Sequence, residues 1–227
     1  FSQNWTDPSN VESLNQVKLE LDGFRKAQKE VEVIAQTDEN IPAINLLLTQ
    51  AAPKAGEILA NVTFIIEEEA NRKATPERKK LLKDLADTRG SFAIGLANIR
   101  AFLLTGDDKF QKLFNALWDK NNRRFNDLLA NKSLLTSSQM NSFVEFKKAR
   151  EIFFPLPPKM FELRGGKKWN KANYLLSTKA APVAFKIKED LDAMFSNQKT
   201  LMSGDMVSAK ILVSELNTFL WILLSIG

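Results

Sequence analysis

The chain of 227 residues contains no cysteine and no histidine. Without cysteine there is no disulfide framework, no thiolate metal site and no cysteine nucleophile. Without histidine the commonest general base and the commonest transition-metal ligand are both missing. A hydrolase or a zinc enzyme is therefore disfavoured, and we expect a protein that is not an enzyme and carries no metal and no cofactor. Glycine and proline are sparse, at 9 and 8, and Tyr174 is the only tyrosine. No phosphate-cradling glycine loop, Gly-x-Ser-x-Gly elbow, HExxH helix or EF-hand loop is present. Carboxylate chemistry is not excluded by these absences.

Excess charge is also modest. The 32 basic and 27 acidic residues leave a net +5, with both signs interspersed and no long run of either. Nucleic-acid binding needs a concentrated basic face with exposed aromatics. The nearest approach, Lys120-Asn-Asn-Arg123-Arg124, is too short, so no nucleic-acid partner is expected. Three glycosylation-type triplets, at Asn4, Asn61 and Asn131, are of a kind common by chance.

What is present is helical periodicity, with no strand-like alternation of useful length and no hairpin signal. The plainest case is Asp87–Gly106, DTRGSFAIGLANIRAFLLTG. A stripe of Leu81, Leu85, Thr88, Phe92, Leu96, Ile99 and Leu103 steps by three and four, the period of one buried helix face. Beside it runs Leu82, Ala86, Arg89, Ala93, Ala97, Arg100 and Leu104. Arg89 and Arg100 are about three turns apart and point nearly the same way. The alanines between them leave room for a close helix or a small ligand. An arginine at a core edge snorkels or pairs with a carboxylate. Alternatively, its planar fork holds a carboxylate-bearing or other anionic ligand.

In chain order, residues 1–9 read as a loose lead-in. A first helix carries Leu14, Val17, Leu21, Phe24, Val31 and Ile34, with polar Gln28 in a heptad core slot. A second spans about Pro42–Lys73, with Leu48, Ala52, Ala55, Leu59, Val62 and Ile66 as its inner stripe and Pro53 as a kink. Its Glu67-Glu-Glu69 end reads as a solvated face. Thr75-Pro-Glu77 opens the third helix with a hydroxyl cap, a first-turn proline and an acid. Thr105-Gly106-Asp107-Asp108 ends it and caps the fourth.

The fourth helix, to about Asn131, uses Phe110, Leu113, Leu117 and Leu128, with Asn121 and Arg124 where that face continues. Thr136 and Gln139 form a capping box for a fifth helix bearing Phe143, Phe146, Arg150 and Phe153. Pro155-Leu-Pro-Pro158 breaks it, and Gly165-Gly166 closes the resumed turn. A last helix runs from about Trp169 to the end, with Pro182 and Gly204 as irregular points. The fold class is all-α: an elongated up-down bundle of long antiparallel helices, or two stacked helical modules. Helices of this length run ~40–50 Å at 1.5 Å per residue.

The polar residues inside this apolar pattern are Gln28, Arg89, Arg100, Asn121, Arg124 and Arg150. Buried unpaired charge is expensive, so each must pair, face water or meet a ligand. Near Trp169-Asn170-Lys-Ala-Asn173-Tyr174, an aromatic with amide neighbours either lines a small polar pocket or forms a capping knot. The ligand-binding candidates are Arg89, Arg100, Asn121, Arg124, Arg150 and Tyr174. Phe219–Gly227 is an uncharged apolar run, too short by itself for a bilayer. It reads as the start of a truncated transmembrane helix with Trp221 at the interface, or else as the end of a core helix. Because residue 1 is Phe rather than Met, an upstream targeting or membrane segment is expected to be missing.

The succession ADTRGSFAIGLANIRAFLLTGDDKF, NNRRF, FFPLPPKMFELR and WNKANYLLSTKAAP resembles the periplasmic sensory domains of bacterial methyl-accepting chemotaxis proteins. The nearest kind is the all-helical, bimodular one that also occurs in sensor histidine kinases. The likeness covers about Glu67–Gln198 and carries no ligand residue over by itself. It implies an extracytoplasmic sensory domain over 1–218 and a membrane helix from 219. It also implies a homodimer anchored by flanking helices in a bacterial inner membrane, and a small-molecule ligand held between helices. The alternative is a helical interaction module, such as a kinase input domain that recognises a ligand-loaded periplasmic binding protein.

Overall fold

The computed structural model describes residues 7–226. It is all-α, with no strand among the described residues. The expected lead-in and the triplet at Asn4 lie mostly outside the described residues, and the chain is already helical from Pro8. The chain divides into two compact units, Ile34–Lys171 and the combination of Phe1–Val33 with Ala172–Gly227.

The Ile34–Lys171 unit is a bundle. Helix α2 (Pro42–Leu46) passes through a π-helical turn, Leu47–Ala51, into α3 (Ala52–Ala70). Helices α4 (Pro76–Thr105), α5 (Asp108–Ala130), α6 (Ser137–Phe153) and α7 (Leu156–Gly165) follow. Helix α3 packs against α4 and α6, α4 against α5, and α7 against α2. Short connections make neighbours antiparallel, as in an up-down bundle.

The helix ends follow the sequence closely. Thr75 accepts from the Arg78 N–H, and Pro76 takes the first turn. Gly106, at φ 73°, ends α4 in the left-handed conformation that glycine adopts freely. Its N–H reaches the Phe102 carbonyl at 2.7 Å. The Arg164 side chain seals the same end: Nε donates to the Leu103 carbonyl at 2.8 Å, and its guanidinium lies 4.0 Å over the Trp169 ring. Thr136 and Gln139 make the full capping box.

All of Leu81, Leu85, Thr88, Phe92, Leu96, Ile99 and Leu103 are buried. They meet an aromatic core. Phe92 and Phe153 pack edge to face at 5.0 Å, Phe114 stacks on Trp118 at 5.8 Å, and Phe125 meets Phe146 at 5.5 Å. Truncating any one such ring costs ~3–5 kcal/mol.

Three packing expectations are corrected. Leu48 is exposed, because the π turn adds a residue ahead of Pro53 and rotates the register. Leu113 is exposed as well, and the core contact of that turn is made by Phe114. Glu69 is buried rather than solvated. Arg78 pairs with it at 2.8 Å, and the Gln139 amide donates to it at 3.0 Å.

In the other unit, α1 (Pro8–Ala35) runs antiparallel to a continuous helix. That helix starts as α8 (Lys171–Leu175), passes a π turn at Leu176–Ala180 and becomes α9 (Ala181–Ile226). Val17, Ile187 and Met194 form its small core, with Leu14, Phe24 and Val183 against it. Lys186 pairs with Glu20, and Lys179 with Glu30 at 2.6 Å. Pro182 is an irregular point, as expected, whereas α9 passes Gly204 without a break.

From Lys199 to Ser225 every residue of α9 is exposed. The helix is long and apolar enough to cross a membrane, with an 18-residue window of mean hydropathy 1.5. That window begins no later than Ser208, so the apolar stretch runs back beyond Phe219 through Leu216, Val213, Leu212 and Ile211.

Candidate functional site

One helix face of α5 carries Trp118, Asn121, Asn122 and Phe125, spaced three, one and three residues apart so that all four point the same way. Helix α6 brings Arg150 to that face, and α4 brings Thr88 and Ser91. The Arg150 guanidinium is held between two rings, its carbon 4.5 Å from the centre of Trp118 and 4.5 Å from that of Phe125. Such stacking is attractive for a planar cation. Its Nη2 donates to Asn121 Oδ1 at 3.1 Å and to Asn122 Oδ1 at 2.6 Å.

Asn121 is itself fixed from behind. Its Nδ2 donates to the Thr88 carbonyl at 2.7 Å and to Ser91 Oγ at 3.0 Å, which turns its oxygen toward the arginine. The Ser91 and Thr88 hydroxyls donate to helix carbonyls of α4, at Asp87 and Asp84. A strand of polar groups thus crosses the apolar bundle from α4 through α5 to α6.

The charge balance of this strand is incomplete. Arg150 is 9% exposed, and its Nε is buried without a hydrogen-bond partner. Among the described residues no carboxylate forms an ion pair with it. Burial alone pushes its guanidinium down to about 10. Removing a cation from water costs several kcal/mol unless an anion or a full set of acceptors answers it. Here two neutral amide oxygens and two ring faces do so only in part.

Two other arginines of the same unit show the ordinary arrangement. Arg124 lies 3.0 Å from Asp87, 3.0 Å from Asp127 and 3.4 Å from Asp84. The Asp127 bond and the two further acids raise its pKa. Arg78 has Glu69.

The structure therefore separates the sequence candidates. Asn121 and Arg150 come together. Arg124 belongs to an acidic network and, with Lys120, Arg123, Asn126 and Asp127, lines a surface cleft of about 490 Å³ on α5. Arg89 and Arg100 are exposed and line no helix interface. Each residue of their stripe follows a buried one by a single position, 100° around the helix. Because α4 is covered on one side only, that step turns them to solvent. Ala86, Ala93, Ala97 and Leu104 are exposed with them.

Tyr174 belongs to the other unit, half-buried in α8, where its carbonyl accepts from the Thr178 and Ser177 hydroxyls at 2.6 and 3.1 Å. Gln28 is exposed on α1. Trp118, Asn122 and Phe125 were not singled out by sequence reasoning. Their i, i+4, i+7 spacing from Trp118 was the available signal. A groove of about 290 Å³ lies elsewhere in the unit, lined by Thr37, Asp38, Asn40, Asn45 and Leu48 among others.

No cluster of three or more metal-binding side chains occurs among the described residues. Compared with protein-family models, with characterised proteins and with solved structures, the chain matches none.

Proposed function

We propose that this chain is the ligand-sensing part of a membrane-anchored receptor, an extracytoplasmic helical domain of the chemoreceptor kind that works as a homodimer. In this reading it binds a small carboxylate-bearing molecule between α5 and α6. The observation that carries the proposal is Arg150, a buried cation stacked between two rings without an acidic partner. A ligand carboxylate supplies the missing anion and accepts from the Arg150 guanidinium, at Nε, and from the Asn122 side-chain N–H.

Binding biases two packings of α6 against α5. A shift of ~1–2 Å between packed helices suffices as a signal, and its extent is bounded by the ligand's differential affinity for the two packings. The apolar second half of α9 supports membrane anchoring.

A second reading, docking of a ligand-loaded binding protein, is favoured by one feature. Phe154, at the end of α6, is exposed and stacks beside Trp118, and Ile152 near the end of α6 is exposed too, as a protein contact would require.

The test is a thermal-shift screen of the chain in detergent against organic acids, amino acids and amines. A ligand at a hundred times its dissociation constant adds ~2.7 kcal/mol, read as roughly 5–10 °C for a chain of this size. The shift should vanish in Arg150→Met and persist in Arg89→Ala and Arg100→Ala. A hit that survives Arg150→Met refutes the site, and a panel without any hit moves the reading to the protein partner.

A further inference from the structure

Residues 43–58 and 172–187 are identical at nine of sixteen positions, and both contain Leu-Leu-x-Thr-x-Ala-Ala-Pro, at 46–53 and 175–182. The offset of 129 residues is structural too. One π turn leads into α3 and the other into α9. In each, the proline that follows lacks an N–H for the carbonyl four residues back. Thr49 Oγ1 donates to the Asn45 carbonyl at 2.8 Å, and Thr178 Oγ1 to that of Tyr174 at 2.6 Å.

The same offset carries α1 onto α6. Asp7, ahead of α1, accepts from Asn197 at 2.9 Å, and Thr136, ahead of α6, donates to Glu68 at 3.0 Å. Residues 197 and 68 are themselves 129 apart. Asn10 and Gln139 are both buried, as are Val17 and Phe146, Ile187 and Ile58, and Met194 and Ile65. The antiparallel pair α1–α9 is thus built as the pair α6–α3 is.

One part has no counterpart. The α4–α5 hairpin lies between the two copies of the repeat and occurs once. In its own unit it covers one flank of the α6–α3 pair. Phe143 stacks on Phe125 of α5 at 6.0 Å, Arg150 bonds to Asn121, and Val62 is buried. The corresponding residues of the α1–α9 pair are Leu14, Leu21 and Leu191. Leu14 is half-buried, Leu21 is 37% exposed and Leu191 46%, and neighbouring Phe195 is 71% exposed.

We propose that this open flank is covered by the same flank of a second copy of the chain, two α1–α9 pairs closing a four-helix bundle. The inference rests on the homodimeric receptor reading above and gives it a face. Leu14, Leu21 and Gln28 recur every seven residues, the period of a helix that runs along another helix. Where the two-fold axis runs between two parallel helices, the residues on that seam meet their own copies. Gln28 would then face Gln28, and a primary amide both donates and accepts, so it satisfies itself. Two chains anchored in one bilayer also leave it in parallel, as this seam requires.

The absence of cysteine makes the test direct. The full chain in detergent micelles receives single cysteines and mild oxidant. Leu14→Cys, Leu21→Cys and Gln28→Cys should each give a disulfide-linked dimer, since a two-fold seam brings like Cα atoms within ~7 Å. Lys26→Cys, on the far side of α1, should remain at background. Leu21→Asp combined with Leu191→Asp should convert a sedimenting dimer to monomer with an unchanged circular-dichroism spectrum, as both side chains are partly exposed.

Cross-linking at Lys26 equal to that at the seam, or a dimer that persists in the double aspartate variant, overturns the proposed face. A chain that is monomeric throughout overturns the homodimer as well. Ligand stabilisation through Arg150, read separately, distinguishes either failure from failure of the sensory reading.

Discussion

Replacing Arg150 with methionine tests whether this arginine is structural or is kept for a ligand. Burial pulls the Arg150 guanidinium from its ordinary value down to about 10, which means that it disfavours the charged form by roughly 3 kcal/mol. Methionine fills a similar volume, is flexible and packs well against rings. Its substitution removes that penalty together with two hydrogen bonds and two ring contacts. Asn121 Oδ1 then remains buried without its donor, at a cost of ~1–3 kcal/mol, while half-buried Asn122 can turn to water. The terms nearly cancel, so Arg150→Met should leave stability within ~2 kcal/mol of the parent, in line with buried charges replaced by apolar groups elsewhere. Thermal unfolding followed by circular dichroism should show a midpoint shift of no more than about 4–8 °C. Ligand-dependent stabilisation should be lost in the same variant. A destabilisation above ~4 kcal/mol, of the size seen when one partner of a buried ion pair is removed, would refute the reasoning and make Arg150 a satisfied core residue.

Two further outcomes follow from the same bundle. Gly106→Ala forces a Cβ into the left-handed conformation and to within 3.0 Å of Arg164 Nη2, displacing the group that seals α4. We expect a loss of ~1–3 kcal/mol, and an unchanged melting midpoint would show that Arg164 yields freely. Burial pushes the Asp87 carboxyl up, but Lys120, Lys83 and Arg124 together outweigh it and hold it below the ordinary value of 3.8. A folded value below the unfolded one gives stability that is present above the unfolded value and is lost as pH falls through the folded one. The melting difference between the parent chain and Asp87→Asn should therefore be steady above about pH 5 and shrink below about pH 4. A difference independent of pH would contradict the ion-pair account.

The all-α class, the position of most helix ends and the inner face of α4 were legible in the residues, because each rests on local chemistry. A threonine cap, a first-turn proline, a left-handed glycine and a Thr–Gln box act within one turn of chain. The stripe from Leu81 to Leu103 repeats often enough to set its own phase. The internal duplication was present in the letters as well, at 129 residues rather than the shorter period of a helical solenoid.

Which flank of a helix is covered depends instead on how many neighbours it has, and periodicity does not count neighbours. Arg89 and Arg100 sit one position, 100°, past a buried stripe and face solvent because nothing packs there. Arg150, in the same kind of pattern, is enclosed because α5 crosses it with two rings. Glu69 left the solvated set when Arg78 and Gln139 met it from two other helices. Hydrophobic spacing places a side chain on a face of its own helix. Only the packing of helices far apart in the chain determines whether that face meets water, a ring or an opposite charge.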